Sequence, residues 1–157
     1  MGESMIVLGC DLSFTRSGLV WMDMSYKVVR HEDWVCKPGP KRLLRALRWF
    51  KQHTPVADLA IIEDYAYGTP SRVVVVKLAE LGAACKMALE ANGIDYLLVS
   101  PSAIKKHVTG KGTAEKDVVA RELERLHGVK FDHDKGYDLS DAAACAAWGV
   151  DYLGRKR

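Results

Sequence analysis

No apolar run in this 157-residue chain approaches the roughly 18 residues that a membrane-crossing helix requires. The opening residues, MGESMIVLGCDLS, carry no basic stretch ahead of their short apolar run. A secretory signal is therefore not expected, and the Ser or Thr of a myristoylation site is missing as well. A cytoplasmic protein is the expectation. Cysteine is sparse: Cys10, Cys36, Cys85 and Cys145 stand far apart and form no CxxC pair. That spacing excludes zinc-ribbon and dithiol redox motifs and suits small buried hydrophobes in a reducing compartment. No internal repeat, low-complexity tract or linker interrupts the chain. Residues 1–157 are accordingly expected to form one domain with a sizeable core. Charge of one sign is also lacking, since 23 Lys and Arg against 20 Asp and Glu leave only +3. Bulk charge alone does not mark a nucleic-acid binder.

What is present has the balance of a globular protein, with 48% hydrophobic and 27% charged residues. The cations are clustered: Lys41, Arg42, Arg45, Arg48 and Lys51; then Lys105, Lys106, Lys111 and Lys116; then the terminal GRKR. Taken singly, such clusters are solvated faces; beside an acidic site they would mean more. Residues 5–13 read as an apolar strand ending at Asp11, and SGLVWMDM and YKVVRHEDWV as two more, with Met24 and Ser25 near a tight turn. These three should form an antiparallel meander. KPGP at 37–40 breaks the chain, and apolar residues at 43, 44, 47 and 50 then mark a helix. A buried strand, about 59–62, ends in Glu63. A helix over 71–92 closes on Asn-Gly, and IDYLLVSP is a fifth strand. Three helices follow, in PSAIKKHV, in TGKGTAEKDVVARELERLHG after its loop, and in DAAACAAWGVDYL. Strands alternating with helices after a meander imply an α/β fold with a five-stranded mixed sheet, meander first and parallel strands after, flanked by helices.

Carboxylates mark the ends of these elements. In GYDLSDAAACAAWG, Asp138 and Asp141 stand three apart where a small-residue helix begins. One reading is capping, with Asp138 as N-cap and Asp141 at the third helical position. The other is that both lie on one helix face and share a divalent cation. Asp11 and Glu63 end two apolar strands, and in α/β sheets sites form beyond the strand ends. If those strands are parallel neighbours, four acids converge, and four acids cannot crowd together without cations. Their natural use is to hold two Mg²⁺ or Mn²⁺ ions for phosphodiester hydrolysis.

The order GCDLS, IIED, GKGTAEKDVV and DLSDAAACA resembles the RuvC-type Holliday-junction resolvases of the ribonuclease-H-like nuclease superfamily, over about residues 5–150. The segment from LAELGAACKMALEANGIDYLLVS to GKGTAEK is similar in order and spacing. The resemblance implies a ribonuclease-H-like fold and a Mg²⁺-dependent endodeoxyribonuclease of DNA recombination and repair, with Mn²⁺ as a substitute and two ions per site. It implies a homodimer that resolves four-way junctions, and other branched DNA, by paired cuts leaving 5′-phosphate and 3′-hydroxyl ends. The family's four acids fall on Asp11, Glu63, Asp138 and Asp141, its AEK lysine on Lys116 as a further catalytic group, and another lysine on Lys105. Expected DNA contacts are Tyr65, Tyr67, Arg72, Lys105, Lys106 and Lys111; counting without gaps puts Ala66 near where the family places a junction-wedging aromatic, and either flanking tyrosine, Tyr65 or Tyr67, is expected to do the stacking. DLSFTRSG departs from the family's usual Pro-Gly-Ser after the first Asp, which suggests a divergent or phage-type member in a bacterial or phage-infected cytoplasm.

Other readings fare less well. TGKGT suggests a P-loop, but that pattern needs Gly where Lys105 stands and Ser or Thr where Gly112 stands, so no nucleotide cofactor is expected. Actin-like ATP-binding folds need two domains, and a non-catalytic binding module would not need all four acids. The alternative that stays open is a related nuclease acting on RNA–DNA hybrids, forks or flaps. His133, between Asp132 and Asp134, His107 and His127 read as solvated rather than metal-binding. The helix at 71–92 is apolar nearly all round. A two-fold partner is expected to cover its second face, the alternative being cover from the helix at 42–52 or from the last helix.

Overall fold

The computed structural model describes residues 5–64 and 71–156. Its elements are β1 (Ile6–Asp11), β2 (Ser17–Asp23), β3 (Val28–Trp34), α1 (Arg42–His53), β4 (Leu59–Glu63), α2 (Arg72–Ala91), β5 (Tyr96–Val99), α3 (Pro101–Thr109), α4 (Lys116–His127) and α5 (Asp138–Gly154). They form a five-stranded sheet in the order β3-β2-β1-β4-β5. The meander is antiparallel, and β4 and β5 run parallel to β1, as the sequence pattern predicts.

Each face of the sheet has its own core. On one side α5, α3 and α4 cover Val7, Val20, Met22 and Ile61; on the other α1 and α2 cover Leu8, Cys10, Leu19, Ala60 and Ile62. That is why the central strands read as continuous apolar runs, whereas the edge strand β3 is the exposed one, with Arg30, His31 and Asp33 at the surface. All four cysteines are free and buried in these cores. The β2–β3 turn is built by Asp23, whose carboxylate accepts from the Ser25 amide (2.8 Å), the Ser25 hydroxyl (2.6 Å) and the Lys27 amide (3.1 Å). This bonding lets Tyr26 take a left-handed conformation at φ 64°.

Helix α5 lies against β1 and β2 with almost no gap, because its inner face is alanine and the strands offer glycine. A Cβ added to Gly9 would sit 1.9 Å from the Ala142 carbonyl oxygen, and one added to Gly18 would sit 2.4 Å from that of Asp138. The start of α5 corrects the capping expectation. Tyr137, at φ 60°, holds the N-cap position without a side-chain bond, and the helix begins with Asp138 itself. Asp134 caps instead: its carboxylate accepts from the Leu139 amide (3.1 Å), the Ser140 amide (2.9 Å) and the Ser140 hydroxyl (2.7 Å). The helix start is satisfied without either of the two acids that follow.

The face of α2 toward the sheet and α1 is closed by Leu81, Ala84, Cys85, Ala88 and Leu89. The Asn92 side-chain amide donates to the Lys51 and Thr54 carbonyls and locks the two helix ends together. Another face stays open, with Val73 61%, Val76 56% and Met87 57% exposed. Cover from α1 is therefore real but partial.

Candidate active site

Cys10 of β1 and Ile62 of β4 are register partners in a parallel pair. The next residues, Asp11 and Glu63, therefore leave the sheet side by side at the same edge. Asp11 also pairs with Gly18 across the hairpin, and the Asp138 carbonyl rests against Gly18. The glycine opposite the first acid is thus the seat for the third. One turn on, Asp141 is the buried member of the group at 9% exposure. Lys116, the first residue of α4, reaches over to it, with Nζ 2.7 Å from Asp141 Oδ2. A lysine at a helix start opposes the dipole there; this carboxylate partner offsets the cost.

The four acids share one electrostatic environment. Burial pushes the Asp11 carboxyl well above the usual carboxylate range, and the charges of Glu63, Asp141 and Asp138 push it further. Glu63 is raised to about 7, first by burial and then by Asp141, with Lys116 and Lys105 pulling the other way. Burial also raises Asp138 and Asp141, the latter against the hydrogen bond and charge of Lys116. Burial pulls the Lys116 ammonium down, but its bond to Asp141 and the charges of Asp141, Asp11 and Asp138 outweigh that and leave it raised. A folded site in which every carboxyl is pushed toward its neutral form is short of positive charge.

All donors here are carboxylate oxygens, the set that suits Mg²⁺ or Mn²⁺ rather than a softer ion. Among the described residues no three acidic, histidine or cysteine side chains converge on one point. The reason is local: Lys116 occupies Asp141, and Asp138 Oδ2 turns back toward Gly136, 2.6 Å from where a Cβ would stand there. The donor chemistry fits a hard divalent cation.

Asp11 and Glu63 line a cleft of about 290 Å³ with Ser13, Val74, Leu78 and Pro101. Lys105 is half-buried on α3 and its charge reaches both Glu63 and Asp141, which places it at the rim. Lys106, Lys111 and Arg72 are exposed, and none of them is among the charges acting on the four acids. The two tyrosines expected to stack on DNA, Tyr65 and Tyr67, lie outside the described residues.

Two groups escaped the sequence reading. Arg16 pairs with Asp33 at 3.2 Å and its charge acts on Asp138; only its place in the loop after Asp11 hinted at this. Asp134 belongs to a loop read as solvated, yet it is the helix cap. His133 is exposed, as expected. His107 and His127 are not simply solvated. His107 Nε2 lies 2.7 Å from Asp151 Oδ2, and His127 stacks on Tyr26 with ring centroids 4.1 Å apart. Both contacts sit toward the far end of α5.

Comparison with known proteins converges on one group. A family model described as "Crossover junction endodeoxyribonuclease RuvC" matches residues 23–148, a span that holds Glu63, Lys116, Asp138 and Asp141 and leaves out Asp11. The RuvC of Brachyspira hyodysenteriae is 27% identical over 152 residues, covering 90% of this chain and 91% of that one. The RuvC of Campylobacter concisus is 30% identical over 154 residues, covering 90% and 94%. Among solved structures, Thermus thermophilus RuvC superposes with a TM-score of 0.80 at 20% identity over 97% of both chains. Its complex with a Holliday junction substrate gives 0.79 at 19% identity over 96% of both.

Proposed function

From the premise that the chain belongs to the RuvC family of crossover junction endodeoxyribonucleases, and is thus a Mg²⁺-dependent endonuclease acting on Holliday junctions, we propose that Asp11, Glu63, Asp138 and Asp141 are its metal ligands and Lys116 its further catalytic residue. The observation that carries this reading is the seating of the first turn of α5 on Gly18, directly opposite Asp11. Four carboxylates are enough donors for two ions, and two per site is the stoichiometry we assign. When bound, such ions supply polarisation of the scissile phosphate and charge stabilisation of the leaving oxygen.

The chain's own groups do the rest. Glu63 supplies its oxygen donors from the end of β4, beside Asp11. Lys116 holds Asp141 in place and brings a positive charge toward the phosphate. Lys105 at the rim draws the backbone into the cleft, and Lys106, Lys111 and Arg72 meet phosphates farther out. Either Tyr65 or Tyr67 stacks on unpaired bases at the branch point.

The working unit in this reading is a homodimer of single-domain chains. The exposed residues Val73, Val76, Glu80, Ala83 and Met87 recur along α2 at steps of three and four. That is the seam by which one helix packs along its two-fold mate. Two sites related by that axis would make the paired cuts that resolve a junction. The test is cleavage of four-way, three-way, flap and linear DNA in Mg²⁺. Asp141→Asn should lose cleavage by orders of magnitude while binding the junction as tightly or tighter, since it removes a negative charge facing phosphate. An Asp141→Asn protein that cuts at the wild-type rate would sink the assignment.

A further inference from the structure

The catalytic cleft leaves the largest group of cations unused. Residues 34–57 contain no Asp or Glu and six Lys or Arg: Lys37, Lys41, Arg42, Arg45, Arg48 and Lys51. Some surface cations elsewhere pair with carboxylates, as Arg30 does with Glu32, Arg125 with Glu122 and Lys130 with Glu124. Among the described residues none of these six does so. A row of uncompensated cations repels itself and needs an anionic partner to offset that cost.

Their placement gives the partner. Arg42 ties α1 to the loop after Asp11: its guanidinium lies 3.8 Å from the Phe14 ring centroid, and it donates to the Cys36 carbonyl at 2.8 Å. Three hollows then adjoin one another. The cleft of Asp11 and Glu63 shares Ser13, Val74 and Leu78 with a second hollow of about 610 Å³ that holds Phe14, Lys37, Arg42 and Lys77. That hollow shares Val35 and Lys37 with a groove of about 410 Å³ between Trp34, Trp49, Arg45 and Arg48. No acid lines the second or the third. A rigid floor supports the groove, with the Trp34 and Trp49 rings stacked at 5.0 Å and His53 stacked on Trp49 at 4.5 Å. Helix α1 is about 18 Å long, enough to span several phosphates of a duplex, which carries one charge per roughly 1.7 Å of axis. Lys105, Lys106 and Lys111 serve the α3 side of the cleft; this track leaves it on the other side.

We propose that the track through Lys37, Lys77, Arg45 and Arg48 seats the phosphate backbone of a duplex arm of the junction, the arm that leaves the catalytic cleft toward α1. This rests on the reading of the chain as a junction endonuclease and adds where one arm runs. On α2, Val74 lies about 160° around the helix from Val76, while Lys77 stands about 40° from Val73 and borders the seam.

The test is equilibrium binding of a labelled four-way junction in chelator, comparing wild type with Arg45→Gln/Arg48→Gln over a range of salt. Loss of two phosphate contacts should flatten the log–log salt slope by about two and weaken binding roughly 30- to 100-fold at about 0.1 M salt. Neutral methylphosphonates walked along each arm should weaken wild type on one arm, or on its two-fold mate, and should add nothing in the double variant. An unchanged slope, or a methylphosphonate penalty of equal size in both proteins, overturns the proposal. So does an equal loss on a single-stranded oligonucleotide, which would make the track a single-strand channel. Wild-type cleavage is measured alongside. If wild type fails to cut junctions the nuclease reading fails, whereas normal cutting with unaltered binding by the double variant removes the arm seat alone.

Discussion

At the scale of single residues, the carboxylates of the site oppose folding in order to serve chemistry. Glu63 has a folded-state value of about 7 against an ordinary 4.5. Between those limits the folded, metal-free protein holds a proton that the unfolded chain has released. Stability must then fall as pH rises from about 4.5 through about 7 and stay low above that. A shift of this size corresponds to roughly 3 kcal/mol, and the raised values of Asp11, Asp138 and Asp141 act in the same direction. Thermal melts in chelator should show Tm dropping across that window, Mg²⁺ should restore it, and Glu63→Gln should flatten much of the trend. A metal-free Tm that climbs over the same range would contradict the burial of these acids. Lys116 and Lys105 should separate in function, because one is bonded to Asp141 and the other only stands at the rim. Lys116→Ala is expected to slow single-turnover cleavage by about 10²-fold or more with little change in junction affinity. Lys105→Ala should act chiefly on affinity and flatten its salt dependence by about one unit of slope. Identical effects of both changes on both quantities would remove the distinction.

At the scale of elements, the geometry of the site is a matter of how closely α5 can approach β1 and β2. Gly9 and Gly18 are not turn residues; they sit in paired strand positions where backbone from another element touches them. Gly9→Ala places a methyl where the Ala142 carbonyl already is, so α5 must tilt or lift. The expected cost is about 2–4 kcal/mol from overpacking and lost contact, read as a lower urea midpoint. Cleavage should fall by more than the folded fraction does, since Asp138 and Asp141 move with the helix. A Gly9→Ala protein of normal stability and activity would show that the seat is compliant.

Most of the element order was legible because periodicity, Gly and Pro punctuation and apolar runs all report on local structure. The placement of Asp11 beside Glu63 also followed from strand type and topology rules. The cap was not legible: Asp134 reaches across a left-handed Tyr137 to amides five and six residues on, and nothing in the residue types separates it from Asp138. Arg16 near Asp138 was equally hidden, since a loop and a hairpin decide that proximity. An isolated glycine in each of two apolar strands was a readable sign of close backbone approach, but only the structure says which helix arrives.

At the scale of the whole molecule, two cores of different texture share one sheet. The α5 side is packed with alanine at backbone contact, while the α1–α2 side ends in an open seam on α2. Sedimentation at micromolar concentration should give a dimer, and Val76→Glu, centred in that seam, should give a folded monomer that loses paired cutting. A wild-type monomer with full junction cleavage would mean that α1 covers enough of α2 after all. The alanine-on-glycine contact also bears on how the protein loses function under stress. Asp11 and Glu63 end two paired central strands, and Asp138 and Asp141 ride on a helix in backbone contact with the first of them, so none of the four acids is carried by a loop. The four acids are therefore expected to open with the core, so that activity should report global unfolding: an enzyme built this way should fail all at once and not fade.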